Sequence, residues 1–308
     1  MSTSSNTPDG GSSGLRLALD AMGTRFELLI ASDMQAHDLR AIGEEAFDVI
    51  RDWHSRLNAF DKGSIVSLIN QHAGQRAVRV DRETLELFAA CARWNAETCG
   101  AFDIALGSLM AHHGFRGQQG SGSLPAFGMS YLEINENESA VFVTHPEVRL
   151  DFGAVAKGWA IDEACSVLQE LGVTSALLHG GTSTARAIGF RPDGQRWHVR
   201  TDMATGAPIA LLADAALSVS APRGRLNESG QGHVIEPRTG EPTNGAQLAG
   251  AVVYNAAESD AWSTALLILG ERPGSMREEI ASILHSPAGE WSLGGASAPV
   301  VFNGDQHD

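Results

Sequence analysis

Asp151-Phe152-Gly153-Ala154-Val155-Ala156-Lys157-Gly158-Trp159-Ala160-Ile161-Asp162 is the densest stretch of this chain. It sets a carboxylate, a flexible turn, a run of small residues and one lysine within twelve positions. Val148-Arg149-Leu150 before it alternates like the end of a strand. After it, Val155, Trp159, Ile161, Ala164, Val167, Leu168 and Leu171 return at spacings of mostly three or four, which predicts a helix over about 155–171 ending at Gly172. Free N–H groups and the dipole favour negative charge at a helix start, and a lysine beside it adds a point charge, so the stretch suits a phosphate group. The plainer alternative for Lys157 is a solvated lysine on a helix surface.

Outward from this stretch, Phe26–Ile30 reads as a short strand. Leu39, Ile42, Ala46, Phe47, Ile50, Trp53 and Leu57 share one helical face. Ser64 is placed to cap a short helix through Ile65, Leu68 and Ile69. A second long helix is expected from Asp81 to about Thr98, closed by Gly100. Gln118–Pro125 reads as a flexible loop. Strands are expected near 139–144, 147–151, 174–178, 185–189, 197–201, 209–212, 216–220 and 249–254, with a last helix from about Asp260 to Leu269. The order around the central helix permits a strand–helix–strand crossover. Many strands mixed with long helices predict an α+β fold with mixed or antiparallel sheets and packed helices. Residues 1–14 read as a disordered tail, and 15–308 as a single domain.

The 308 residues are 43% apolar, which is enough for a large core, and carry a formal net charge of −15. That charge argues against nucleic acid and anionic membranes as partners, since both require a basic footprint. An anionic ligand would need local lysine, arginine or a metal ion. Cys91, Cys99 and Cys165 lie far apart in sequence, so neither a disulfide framework nor a thiolate zinc site is expected. The sequence shows no apolar run of membrane-spanning length and no signal-peptide core near its start, so the expected compartment is the cytoplasm, unless a signal has been removed.

Four patches could carry chemistry. Asp260 and Thr264 are four apart at a helix head and share a face, so with a nearby carbonyl they could make an oxygen-only Mg²⁺ site; as ordinary helix caps they would need no metal. In Gly232-His233-Val234-Ile235-Glu236-Pro237-Arg238-Thr239-Gly240, His233 is either a base working near neutrality or a surface residue at a strand end. Asp103, in the strand-like run Gly100-Ala101-Phe102-Asp103, needs N–H partners from backbone or ligand, or else serves a turn. Met22-Gly23-Thr24 offers a polarisable side chain for a ring system, or simple core filling.

Taken in order, these patches resemble the ApbE family, the FAD:protein FMN transferases. The resemblance runs through Met22-Gly-Thr24, Leu57-Asn-Ala-Phe60, Ser64–Asn70, Gly100–Asp103, Asp151–Asp162, His179-Gly-Gly181, Gly232–Gly240 and Asp260-Ala-Trp-Ser-Thr264. It implies an ApbE-like fold and Mg²⁺-dependent splitting of FAD. FMN would join a Thr or Ser of an acceptor flavoprotein, and AMP would leave. It implies that Ala154 (by its carbonyl), Asp260, Thr264 and Ser263 hold Mg²⁺. Met22, Phe60, Ala101, Phe102, Asp103, Asp151, Lys157, Val234 and Ile235 would bind FAD, and His233 would take the acceptor's proton.

The chain departs from the family pattern at Glu236, where Asp is usual, and at Thr182, where Asn or Asp is usual. Val219-Ser220-Ala221 stands for Thr-Ser-Gly, and Phe60 stands for a tyrosine. These changes spare the metal and lysine positions and fall more on the acceptor side. Two alternatives follow: an FAD-binding protein with weak or lost transferase activity, or an Mg²⁺-dependent FAD pyrophosphatase giving FMN and AMP.

Overall fold

The computed structural model describes residues 14–115, 122–204, 206–222, 227, 230, 232–243, 245–295 and 300–302. The tail through residue 13 and residues 118–121 of the expected loop at 118–125 lie outside the described residues. The chain opens with β1 (Gly14–Ala21), β2 (Thr24–Ala31), α1 (Ala36–Leu57), α2 (Ile65–Gln71), β3 (Val78–Arg79), α3 (Arg82–Glu97) and α4 (Gly107–His112). Then come β4 (Leu132–Asn135), β5 (Ala140–Val143), α5 (Ala156–Glu170), β6 (Ala176–Gly180), β7 (Thr184–Ile188), β8 (Trp197–Arg200), β9 (Ile209–Leu212) and β10 (Ala215–Ser220). The last elements are β11 (Ile235–Glu236), β12 (Glu241–Pro242), β13 (Leu248–Val253), α6 (Ala256–Leu269), β14 (Ala281–His285), β15 (Trp291–Gly294) and β16 (Val300–Val301).

An eight-stranded sheet in the order β1-β2-β6-β7-β10-β13-β14-β15 forms the frame, and every pairing in it is antiparallel. Helices α1, α5 and α6 cover one face. The small sheet β16-β9-β8 covers part of the other, burying Ala187, Leu217, Val252 and Ile283 against Ala210, Leu212 and Val300. With both faces covered, β13 is buried along its whole length, unlike the half-wet strand of an open sheet. A further sheet, β3-β5-β4, lies beside α2 and α3.

The periodic segments fold as their patterns dictate. Helix α1 buries Leu39, Ala46, Phe47, Ile50, Trp53 and Leu57, and its Trp53 meets Trp159 of α5 edge to face at 5.8 Å. Ser64 caps α2 by accepting from Ser67 N at 3.0 Å, and Asp81 caps α3 by accepting from Thr84 N at 2.8 Å. Helix α6 is buried nearly all round, with Glu258, Ser259, Asp260 and Ser263 enclosed along with its apolar residues.

Four expectations change. Gly14, expected to end the tail, pairs with Ala31 as the first residue of β1, a strand not expected from the Ser/Gly-rich sequence before it. Residues 147–151 form no strand; the Asn70 amide gives Leu150 both bonds that a neighbouring strand would give, at 2.7 and 3.1 Å. No crossover forms around α5, because β5 belongs to the small sheet while β6 runs antiparallel in the large one. Helix α6 begins at Ala256, so Asp260 sits in its second turn and not at its head.

Helices α5 and α6 touch most closely at Gly158, where an added Cβ would overlap the Ala256 carbonyl. Gly158→Ala is expected to push the helices apart and cost about 1–3 kcal/mol of stability. A chemical-denaturation midpoint equal to that of the wild type would contradict this.

Candidate active site

The start of α5 and the second turn of α6 meet through Asp260. Gly158 N donates to Asp260 Oδ2 at 2.8 Å. Thr184 Oγ1 and Ser218 Oγ both donate to Asp260 Oδ1, at 2.7 and 2.5 Å. The carboxylate is buried, yet it serves α5 and the sheet and caps nothing on its own helix. The first turn of α5, next to Lys157, and the helix near 260 therefore meet.

The opposite helix start is served in the same manner. Asp162 of α5 accepts from Ala256 N and Ala257 N of α6, each at 2.8 Å, and from the Arg186 guanidinium at 2.5 Å. Burial pushes the Asp162 carboxyl up to about 6, against the pull of Arg186 and the two backbone N–H groups. Arg186 in turn lies over the Tyr254 ring, 5.0 Å from its centroid.

Around Asp260 the hydroxyls form a connected group. Ser263 Oγ lies 2.8 Å from Ser220 Oγ, 3.2 Å from Ser218 Oγ and 3.0 Å from the Asp260 carbonyl. Ser263 is fully enclosed, whereas Thr264, one residue on, is partly exposed and lies 3.4 Å from Ser220 Oγ. The Ala154 carbonyl accepts no hydrogen bond among the described residues, and the Lys157 side chain makes no hydrogen bond or ion pair among them. Among the described residues no three His, Cys, Asp or Glu side chains gather as a metal cluster. The available donors are oxygens: one carboxylate, hydroxyls and a backbone carbonyl. That set fits a hard divalent cation that also takes ligands from phosphate.

Of the other expected residues, the segments carrying Asp103 and Asp151 are joined by backbone hydrogen bonds. Asp103 Oδ1 accepts from Ala105 N at 2.6 Å, and Oδ2 from Met129 N at 2.9 Å. Burial outweighs these bonds and raises the Asp103 carboxyl to about 6. Asp151 stands next to it, its N–H donating to Ile104 O at 2.7 Å, and its Oδ1 accepting from Gly153 N at 2.8 Å. Ala101 and Phe102 are buried; the Phe102 ring packs edge-on against Trp94 at 6.3 Å, so it is a core ring.

Met22 sits in the β1–β2 turn at φ 50°, held by its N–H donating to His54 Nδ1 at 3.0 Å. Phe60 is 71% exposed, an uncommon position for a phenyl ring. His233 lies edge-on to Phe115 at 6.5 Å, with Val234 beside it and Ile235 buried in β11. Segment 232–240 joins the Asp103 side: Gly240 packs against Leu124 and Phe127, and its carbonyl meets His113 Nε2 at 2.7 Å. Glu236 forms a two-point ion pair with Arg238, at 2.8 and 2.5 Å, which holds its carboxyl below the usual range although burial pulls the other way.

Sequence reading assigned no role to Asp162, Arg186, Thr184, Ser218, Asn70 or His54. Two signals were present: a lone arginine in the apolar run Ala185–Ile188, and hydroxyls two apart at Ser218 and Ser220, hence on one face of a strand.

Asp103 also implies a pH effect. Its folded pKa of about 6 lies above the unfolded 3.8, so its contribution to stability is full below about pH 4 and fades as pH rises through 6. Asp103→Asn is expected to remove roughly 1–3 kcal/mol of that decline between pH 4 and 7. Parallel stability–pH curves for variant and wild type would contradict it.

Comparison with known proteins places this geometry. The ApbE family profile matches residues 22–281. An FAD:protein FMN transferase of Vibrio cholerae is 24% identical over 84% of this chain and 83% of its own length. One from Rhodobacter capsulatus is 30% identical over 78% of this chain, spanning 48% of that longer protein. The crystal structure of the ApbE protein of Thermotoga maritima has the same fold at a TM-score of 0.82 and 22% identity, covering 92% of this chain and 97% of that one. The flavin transferase ApbE of Vibrio cholerae superposes at 0.77, covering 93% and 98%. The chain belongs to the ApbE family.

Proposed function

We propose that this protein moves FMN from FAD to a Thr or Ser hydroxyl of an acceptor flavoprotein, releasing AMP, with Mg²⁺ at Asp260. The observation that carries this reading is the 2.8 Å bond from Gly158 N to Asp260 Oδ2, which sets the lysine-bearing start of α5 against the oxygen donors of α6. The names of the relatives, FAD:protein FMN transferase, supply the reaction class.

Asp260, Thr264 and the Ala154 carbonyl would hold the cation. When bound, it would offset the charge of the pyrophosphate. Ser263, enclosed behind them, orients Ser218 and Ser220. Lys157 pairs its ammonium with a phosphate of FAD. Met22, Phe60 and the main chain at Ala101–Phe102, with Asp103 and Asp151, wall the flavin nucleotide on one side, and Val234 and Ile235 on the other. Two backbone N–H donors fix the Asp103 carboxyl, so it meets a ligand N–H without first reorganising.

His233 takes the proton of the acceptor hydroxyl as the hydroxyl oxygen bonds to the FMN phosphorus. The phosphoanhydride bond breaks, and AMP leaves with the electron pair. The Glu236–Arg238 pair stiffens the turn that follows His233, so the longer acid side chain here is absorbed by a local ion pair.

The test is incubation with FAD, Mg²⁺ and a Thr-bearing acceptor, read by intact mass and nucleotide chromatography. Flavin on the acceptor with equimolar AMP supports the proposal; free FMN with AMP identifies water as the acceptor instead. Asp260→Ala is expected to cut Mg²⁺-dependent AMP release by roughly 100-fold or more while the circular dichroism spectrum is kept. Full activity would remove Asp260 from the metal site. His233→Ala is expected to slow transfer by about 10²–10⁴-fold with FAD affinity nearly unchanged; equal losses in both would assign it a binding role.

A further inference from the structure

The carboxylate of Asp260 does not offer its two oxygens equally. Oδ1 accepts from Thr184 and Ser218, and among the described residues Oδ2 accepts only from Gly158 N. An ionised carboxylate has about four acceptor sites, two per oxygen, so Oδ1 is filled and Oδ2 keeps one open. The hydroxyls on Oδ1 are not incidental neighbours. Thr184 and Ser218 are register partners on β7 and β10, and each is no more than 3% exposed. Ser218 Oγ also lies 3.2 Å from Ser263 Oγ, whose single proton is shared with the Asp260 carbonyl at 3.0 Å, and the Ser218 proton goes to Asp260 because a carboxylate oxygen only accepts. The sheet therefore holds both donors in place before any cation arrives.

We propose that Thr184 and Ser218 set the cation preference of this site. By occupying Oδ1 they confine Asp260 to a single open oxygen. One-oxygen carboxylate ligation suits Mg²⁺, which keeps a tight six-coordinate shell. Ca²⁺ takes six to eight oxygens and gains from carboxylates that chelate through both. The proposal rests on the reading of Asp260 as a cation ligand.

The experiment compares the wild type with Thr184→Val, Ser218→Ala and the double variant, and with Thr184→Ser, which keeps the hydroxyl. Calorimetry measures Mg²⁺ and Ca²⁺ binding in the presence of ADP, a pyrophosphate-bearing probe that carries no flavin to transfer. The wild type and Thr184→Ser are expected to prefer Mg²⁺. The ratio of the Mg²⁺ and Ca²⁺ dissociation constants should move toward Ca²⁺ by about tenfold or more in the double variant, and less in each single variant. A double variant that weakens for both cations in proportion, at an unchanged ratio, overturns the proposal and leaves the hydroxyls a purely structural part. A wild type whose ADP binding responds to neither cation overturns the reading of Asp260 itself, and the proposal with it. If the double variant does not fold by circular dichroism, the ratio in Ser218→Ala alone decides.

Discussion

Two carboxylates exchanged between two helices hold this molecule's working parts in register. Asp162 leaves α5 to receive the first free N–H groups of α6, and Asp260 leaves α6 to receive an early N–H of α5. Each helix start has donors with no partner inside its own helix, and each is satisfied by the other's side chain. The separation between Lys157 and Thr264 is thereby fixed by backbone groups, not by the reach of a loop. Gly158 is the steric condition for the exchange, since any side chain there would meet the Ala256 carbonyl.

Burying Asp162 costs solvation, and Arg186 offsets that cost from within the sheet. Such pairs seldom add net stability compared with an apolar replacement. What this one supplies is direction: a guanidinium and two amides admit one orientation of the carboxylate. The apolar part of the structure then needs only to hold the helices against β7, β10 and β13, which the covered sheet does on both faces. Adhesion comes from the core and alignment from the polar seam.

Much of this was legible in the sequence, for a physical reason. Helical faces in α1, α3 and α5 announce themselves by spacing, and Ser64 and Asp81 sit where caps are needed. The order of the motifs pointed to Asp260 and Asp103, each buried and held by several donors. Three kinds of feature stayed hidden. Strand β1 begins inside Ser/Gly-rich sequence, and its partner β2 decides its fate. The extended run at 147–151 is satisfied by a side-chain amide, which no pattern of hydrophobicity encodes. The roles of Thr184, Ser218, Asp162 and Arg186 depend on pairings between segments up to about a hundred residues apart.

The antiparallel pairing of β2 with β6 joins Phe26–Ile30 to Ala176–Gly180 across about 150 intervening residues. During synthesis the first hairpin therefore emerges with one edge open and waits for its neighbour. At roughly 5–20 residues per second that interval is about 7–30 s. Closing so large a loop is entropically slow, and an open strand edge is a template for the wrong partner in the meantime. The charged pair Arg25 and Glu27 on β2 stands on that waiting edge, where charge discourages stray pairing between nascent chains.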